Sequence, residues 1–174
     1  MTPAVQPLLA ELDAEAPATR CVLERLPADR FGWRPHPKSM TVAQLGHHVA
    51  TIPATIARFT TLDGFDVSIA PQDYKAAESR EAVLTTFEAS IAVLRDALGR
   101  LNETAANGTW RLRFGDREIF TMSRTGMIRT MGLNHWYHHR GELVVYLRLL
   151  DVPVPVIYGR SADENPFAPP VARS

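Results

Sequence analysis

Two histidine-rich stretches set the folding pattern of this chain: Leu45-Gly-His-His-Val-Ala50 and Asn134-His-Trp-Tyr-His-His-Arg-Gly-Glu142. Together they hold five of the six histidines, and each lies in an apolar run with helical periodicity. Residues four apart face the same side of a helix, so His135 and His139 can approach a single ion. A third histidine from another helix would complete a site with three nitrogens and open coordination positions.

Hydrophobic periodicity predicts four long helices joined by mostly short connections. Pro17 is expected to kink or split the first helix, and Pro153 should prevent the last one from continuing. The predicted bounds are Pro3–Leu26, Thr41–Thr60, Ser79–Asn102 and Ser123–Leu150. Four such helices are typical of an antiparallel four-helix bundle, an architecture whose core commonly hosts metal sites.

A small hairpin is predicted between the third and fourth helices. Residues 110–114 and 117–120 alternate with period two, and Gly115-Asp116 supplies the turn between them. The last twenty residues are rich in proline and polar side chains, so they should pack over the bundle without regular structure. Because there is no internal repeat or clear linker, residues 1–174 are predicted to form one all-α domain with this small hairpin.

The composition excludes several classes of partner. The 174 residues carry a formal net charge of zero, so no electrostatic surface for nucleic acid or an anionic membrane is expected. The sequence opens without a signal peptide, and no apolar run approaches the ~20 residues that span a bilayer. The single cysteine excludes a disulfide framework and suits a reducing compartment. The protein is therefore expected to be soluble and cytoplasmic.

Helical geometry separates the paired histidines of the second helix. At about 100° per residue, His48 lies about 60° from Leu45, at the edge of the apolar stripe, whereas His47 lies about 160° away. His48 is therefore predicted to face inward and His47 to face solvent. Pro53 has no N–H to donate to the carbonyl of Val49, so the backbone is expected to loosen just after His48.

The fourth helix offers the other ligands. His135 and His139 project almost in parallel and are predicted to chelate together, although angle alone does not exclude His138 on the flank of the same stripe. Glu142 falls on the same face and can hydrogen-bond a ligating imidazole from behind. Trp136 stands where the His-Glu-x-x-His motif of zinc proteases places its general base, so peptide hydrolysis is disfavoured.

The combined motifs resemble the DinB/YfiT-like family of four-helix bundles. The resemblance covers nearly the whole chain and rests on His135-Trp-Tyr-His-His-Arg-Gly-Glu-Leu143, on Tyr158-Gly-Arg-Ser-Ala-Asp163, and on the approach to the second helix through residues 33–39 and 45–50. It implies a metal held by His48, His135 and His139, the same three that the helical geometry selects. The doubled histidine departs from the family pattern and leaves His47 as an alternative ligand.

The resemblance also implies a homodimer of bundles, and characterised relatives include transferases that use low-molecular-weight thiols such as bacillithiol or mycothiol. We therefore expect a metal-dependent thiol S-transferase with a small thiol as cosubstrate. The alternatives are a metal-dependent hydrolase, a noncatalytic structural or sensing metalloprotein, and a dimeric interaction module without metal. Zinc or nickel is the first expectation for the divalent transition metal, with iron or manganese as further choices, because imidazole suits several of them.

Four further residues have weaker expected roles, and no catalytic residue is assigned. Trp33, Tyr146 and Tyr158 are candidates for lining the substrate pocket, although large aromatic side chains more often simply fill space. Arg140 could bind an anionic group. It faces about 100° or more from the histidine stripe, so a surface or dimer-contact role is favoured.

Overall fold

The computed structural model describes residues 2–71 and 73–167, and these are mostly helical. The helices are α1 (Gln6–Leu23), α2 (Val42–Phe59), α3 (Arg80–Arg100), α4 (Glu103–Asn107), α5 (Arg124–Met127) and α6 (His135–Leu149), with short 3₁₀ turns at Ala28–Arg30 and Val67–Ile69. A π-helical segment, Ile128–Asn134, joins α5 to α6. The predicted fourth helix is thus one continuous helical stretch of three segments, with α, π and α hydrogen bonding in turn.

The long helices pack around an apolar core. Helix α2 contacts both α3 and α6, and α1 contacts the same two helices from the other side. The largest fully buried side chains include Trp110, Trp136, Phe87 and Met127. Removing such apolar surface from water is the main force that holds the helices together. Within the described residues, each helix is too short or too polar to cross a lipid bilayer.

Capping side chains account for where α2 and α3 begin. Thr41 Oγ1 accepts the N–H of Gln44 at 3.2 Å, and Gln44 Oε1 accepts the N–H of Thr41 at 2.9 Å, which forms a capping box. Ser79 caps α3 by accepting the N–H of Ala82. Helix α1 continues through Pro17 as one helix, so the predicted split does not occur.

The π-helical segment was not predicted. A π turn holds more residues than an α turn, and a search for a 3.6-residue period cannot detect it. Gly132 lies in this segment, where an added Cβ would lie only 3.3 Å from two atoms of Ile56 in α2. The absence of a side chain at this position lets the segment approach α2 closely, three residues before His135.

A three-stranded sheet lies beside the helices, so the expectation of an all-α fold is wrong in this respect. The predicted hairpin is present as β2 (Thr109–Phe114) and β3 (Arg117–Ser123), paired antiparallel. A further strand, β1 (Gly64–Asp66), pairs parallel with β2 and gives the order β1-β2-β3. The sequence does not predict β1, because three residues are too few to show the alternation of apolar and polar side chains that indicates a strand. Gly64 permits the close pairing, because a Cβ there would lie 2.4 Å from the carbonyl oxygen of Arg111.

The segment after α6 contains no helix or strand up to residue 167, as predicted for the C-terminal part of the chain. The rest of the predicted irregular tail, residues 168–174, lies outside the described residues. Side-chain hydrogen bonds fix the described part: Ser161 Oγ donates to the carbonyl of Val154 at 2.8 Å, and Asp163 accepts the N–H of Val154 at 2.9 Å. Arg25, just after α1, pairs with Glu164. These contacts tie the segment back onto the helices.

Candidate metal centre

Helices α2 and α6 bring three imidazoles together. His48 comes from α2, and His135 and His139 come from successive turns of α6. One nitrogen from each ring lies within 4.8 Å of the others. The ring centroids are 5.3 Å apart for His48 and His135, and 4.5 Å apart for each of the other two pairs. The rings therefore face a common point between the two helices.

The spacing of the nitrogens fits a metal site. The Nε2 atoms of His48 and His135 are 3.2 Å apart. Two nitrogens bound to zinc at about 2.0–2.1 Å in tetrahedral geometry lie about 3.3 Å from each other. The same separation allows one neutral ring to donate its N–H to the other. A donor set of three imidazoles is compatible with divalent zinc, nickel or iron.

Glu142 holds the third ring from behind. Its Oε2 lies 2.6 Å from Nδ1 of His139, which leaves Nε2 of that ring available for the cluster. The other carboxylate oxygen lies 3.5 Å from Nε2 of His138. The carboxylate of Glu142 therefore bridges two successive histidines, although only His139 belongs to the group of three.

The neighbouring histidines, His47 and His138, lie outside this group of three. His138 is 64% exposed in its side chain, whereas His139 is 10% exposed. His47 is half-buried, and burial together with the nearby charge of Lys75 lowers its pKa. His48 therefore joins His135 and His139 in one group that contains neither His47 nor His138. His138 belongs to a second, more exposed group with His139 and Glu142, whose ligand atoms also lie within 4.8 Å of one another.

The three clustered imidazoles are neutral near pH 7. Burial, together with the neighbouring imidazoles, lowers the pKa of His48 to about 3 and that of His135 to about 4. Burial also lowers the pKa of His139, and the hydrogen bond from its Nδ1–H to the Glu142 carboxylate opposes this shift. Neutral imidazole has a free nitrogen lone pair, which is the form that binds a metal.

The backbone beside His48 is fixed by contacts from two other helices. Pro53 cannot donate to the carbonyl of Val49, and the indole Nε1–H of Trp136 in α6 donates to that carbonyl instead, at 3.1 Å. The next amide, of Ala54, donates to Ser90 Oγ in α3 at 2.7 Å. The predicted opening in α2 is therefore closed by side chains. These two bonds fix the position of α2 against α3 and α6.

Two cavities open at the histidine cluster, and both are lined by His48, His135, Thr55 and Phe59. The smaller, about 200 Å³, is mostly apolar and extends toward the π-helical segment, whose Met131 contributes to its wall. The larger is a groove of about 550 Å³ between α2 and the connection from β1 to α3. A small molecule can therefore reach the nitrogens from solvent.

Two of the predicted pocket residues pack against each other. The rings of Trp33 and Tyr146 meet edge to face, with centroids 5.5 Å apart. The hydroxyl of Tyr146 donates to the carbonyl of Met40 at 3.1 Å. Neither side chain lines the two cavities at the histidine cluster. In this arrangement they fix the approach to α2.

The third predicted pocket residue, Tyr158, lies on the opposite side of α6 with Arg140. Arg140 is only 2% exposed, so the expectation of a surface or dimer-contact role is wrong. Its guanidinium pairs with Glu15 at 2.7 Å and donates to Thr19 Oγ1 at 3.0 Å and to the hydroxyl of Tyr158. It also lies over the ring of Tyr137, 5.0 Å from the centroid. The angle estimate gave the direction correctly, but α1 covers this side of the helix.

Sequence reasoning missed three residues at the groove. Tyr74 meets the ring of His48 edge to face with centroids 5.0 Å apart, and Lys75 follows it in the wall. Both lie in the connection before α3, which has no periodicity that could reveal them. Arg58 falls on the polar side of α2, and only the position of the β1 region shows that this side faces a groove.

Comparison with known proteins identifies relatives at the level of family and fold. A model described as the DinB family matches residues 1–166. No protein of curated function matches the chain. A DinB-like protein from Bacillus cereus has a similar structure, with a TM-score of 0.67, 21% identity, and coverage of 86% of this chain and 95% of that one.

Two further solved structures show the same fold. A DinB-like protein from Bacillus subtilis gives a TM-score of 0.66 at 15% identity and covers 88% of this chain and 99% of its own. A mycothiol-dependent maleylpyruvate isomerase gives a TM-score of 0.51 at 15% identity, with 88% of this chain and 65% of the isomerase covered. At these identities the likeness shows a shared fold.

Proposed function

The chain belongs to the DinB family, and on that premise we propose that it binds a divalent transition metal and activates a low-molecular-weight thiol for transfer to an electrophile. The observation that carries the proposal is the convergence of His48, His135 and His139, with one nitrogen from each within 4.8 Å of the others. The mycothiol dependence named for the isomerase of the same fold supports the choice of a thiol.

Each side chain has a distinct part in this proposal. His48, His135 and His139 would hold the ion, and Glu142 would keep the His139 ring oriented through its Nδ1. A divalent cation held by neutral imidazoles lowers the pKa of a bound thiol or water. In the transfer, the thiol loses its proton to solvent in the groove, and its sulfur forms a bond to the electrophilic carbon. The leaving group departs with the electron pair of the bond that breaks.

We propose zinc or nickel first, and iron or manganese next, as the natural metal. Three imidazole nitrogens do not discriminate strongly among the first three, and availability in the cell contributes to the outcome. Elemental analysis of protein purified without added metal and without a histidine tag would identify the ion. Between about half and one equivalent of a single transition metal per chain is expected.

The decisive experiment compares two pairs of adjacent histidines. His48→Ala and His139→Ala remove proposed ligands, whereas His47→Ala and His138→Ala remove the adjacent histidines outside the group of three and serve as matched controls for metal binding. We expect the first two variants to lose the metal and the rate of thiol transfer, measured with a panel of small thiols and a chromogenic electrophile. Both controls should retain the metal, and His138→Ala, which lies outside the groove, should also retain the rate.

Three outcomes would contradict the proposal. A rate of thiol transfer unchanged by His139→Ala would rule out thiol activation at this site. Equal losses of metal in all four variants would contradict the assignment of His48 and His139 as ligands. Metal-dependent release of the leaving group without any thiol would show a hydrolase instead, since the same ligands can activate water.

We also propose a homodimer. Val145 and Leu149 are both 56% exposed and lie one turn apart on α6, so this helix presents apolar surface to solvent or to a second copy. Sedimentation equilibrium should give twice the chain mass, and Leu149→Glu should shift the protein toward monomer. A monomer at micromolar concentration would exclude this part of the proposal.

A further inference from the structure

We propose that the groove beside the histidine cluster takes a small molecule bearing a carboxylate, and that Arg58 and Lys75 bind that carboxylate. The inference rests on the proposed function, because it names the substrate class of the same site. It depends on the shape of the groove, on its charges and on its apolar wall.

The groove has the size and position of a substrate site. Its volume of about 550 Å³ lies within the range of about 300–1,000 Å³ that is usual for small-molecule sites. His48 and His135, two of the proposed metal ligands, line it. Arg58 and Lys75 come from different elements, α2 and the connection before α3, and both line the same groove. A bound molecule can therefore contact the histidine cluster and both cations.

The two cations are available to a ligand. The guanidinium of Arg58 lies 5.5 Å from the ring centroid of Phe59 and 6.0 Å from that of Phe65, which positions it beside the groove. Among the described residues, no carboxylate forms an ion pair with Arg58 or Lys75. Asp73 is the one acidic side chain in the described lining, so cations outnumber anions there.

Much of the groove wall is apolar. Phe59, Phe65 and Val67 line the groove, and the adjoining cavity of about 200 Å³ adds Ile52, Ile56 and Met131. Apolar walls with a few charged groups favour a ligand with an apolar body and an anionic group. A planar carboxylate suits the guanidinium of Arg58, which can donate two parallel hydrogen bonds.

The carboxylate could belong to the thiol or to the electrophile, and probe pairs distinguish the two. Cinnamate and cinnamamide have the same shape and stand for the electrophile. 3-Mercaptopropionate and its amide stand for the thiol. Binding of all four would be measured by calorimetry on metal-loaded protein and on protein stripped with a chelator. The stripped protein separates binding by Arg58 and Lys75 from binding of the carboxylate by the metal.

We expect one of the carboxylates to bind about tenfold more tightly than its amide, in stripped and loaded protein alike, with a preference that weakens as salt is added. The variant R58Q/K75Q should lose this preference and keep its metal. The matched control R34Q/K38Q changes one exposed arginine and the only other lysine of the chain, both outside the groove, and should keep the preference.

Two results would overturn the inference: equal binding of carboxylate and amide, or a preference that persists in R58Q/K75Q. A preference present only in loaded protein would assign the carboxylate to the metal and would also overturn it. Failure of the proposed function would give a different result, namely wild-type protein without metal or without thiol transfer. The carboxylate preference is measured separately, in protein stripped of metal.

Discussion

The two faces of α6 use polar residues in opposite ways. On the face toward α1, Arg140 is enclosed by Glu15, Thr19 and Tyr158, so the charged group has protein partners for its donors. On the face toward α2, the nitrogens of the clustered histidines approach one another, and Glu142 supports one ring from outside. On one face of α6 the polar groups are satisfied by the protein, whereas on the other face imidazole nitrogens remain that a ligand can use.

This difference separates a structural role from a functional one. A buried charge whose hydrogen bonds are all made by the protein fixes how two helices pack. Neutral imidazoles that face one another retain lone pairs that a cation can use. Changes on the α1 face should therefore alter stability and leave the metal unaffected, whereas changes on the α2 face should alter the metal first.

The largest effect is expected for Arg140→Met. The substitution keeps most of the side-chain volume but leaves the Glu15 carboxylate, which is 15% exposed, without its cation. We expect the free energy of unfolding to fall by about 3–5 kcal/mol, as measured by urea denaturation. Arg100→Met is the control, because its exposed pair with Asp96 should contribute at most about 1 kcal/mol. Equal losses in the two variants would contradict the assigned role, and metal bound per folded chain should stay unchanged.

The next effect concerns the bond from Trp136 to the carbonyl of Val49, which joins the α2 face of α6 to α2. Trp136→Phe removes the donor, and an unsatisfied buried carbonyl should cost about 1–3 kcal/mol in addition to the lost volume. Pro53→Ala restores an N–H at the position whose helical acceptor is that carbonyl. We therefore expect the loss caused by Trp136→Phe to be about 1 kcal/mol smaller in the Pro53→Ala background. A double-mutant cycle, measured by urea denaturation, gives this coupling energy. A value of zero would show that the hydrogen bond from the Trp136 indole does not compensate for the N–H that Pro53 lacks.

Features with a regular spacing could be predicted from the sequence. The four long helical stretches, the hairpin and the inward direction of His48 follow from apolar periodicity, since burial repeats with the period of the element. The cap at Ser79 was also predictable, because a side-chain oxygen there satisfies a free helix N–H. The angle estimate likewise selected His135 and His139, which the structure brings together with His48.

Features that depend on which neighbour covers a surface could not be predicted. The helical angle correctly predicts that Arg140 faces away from the histidines, but the sequence does not show that α1 packs over this side. Strand β1 has three residues and forms only because β2 is beside it. The wall formed by Tyr74 and Lys75 comes from a connection without periodicity. In each case the deciding contact joins residues far apart in the chain, and no local pattern records it.

A smaller effect on the α2 face is expected for Glu142→Gln. The amide keeps the shape but removes the charge that supports Nδ1 of His139 at 2.6 Å. Such outer hydrogen bonds typically change metal affinity by about 10–100-fold, and we expect a loss in this range by competition with a chromophoric chelator. His138→Ala tests whether the longer 3.5 Å contact of the same carboxylate matters, and it should leave the affinity unchanged. An equally large loss of metal affinity for His138→Ala and Glu142→Gln would contradict the conclusion that Glu142 acts through His139.

The smallest effect is expected on the α1 face at Glu11. Its carboxylate accepts hydrogen bonds from Arg129 and, at 2.9 Å, from the hydroxyl of Tyr137. The hydrogen bond from Arg129 lowers the pKa of Glu11 in the folded protein. Glu11→Gln should therefore reduce the free energy of unfolding at pH 7 by at most about 1.5 kcal/mol.

The pH dependence of this loss distinguishes the charged pair from simple packing. Because the folded pKa is below the unfolded value of about 4.3, the carboxylate stabilises the protein above that value and ceases to do so as the pH falls through the folded pKa. The difference between wild type and Glu11→Gln should be constant from pH 7 to about pH 5 and should shrink below about pH 4. Urea unfolding at closely spaced pH values measures it, with the other carboxylates common to both proteins. A difference that stays the same down to pH 3 would show that the charge of Glu11 does not stabilise the folded protein.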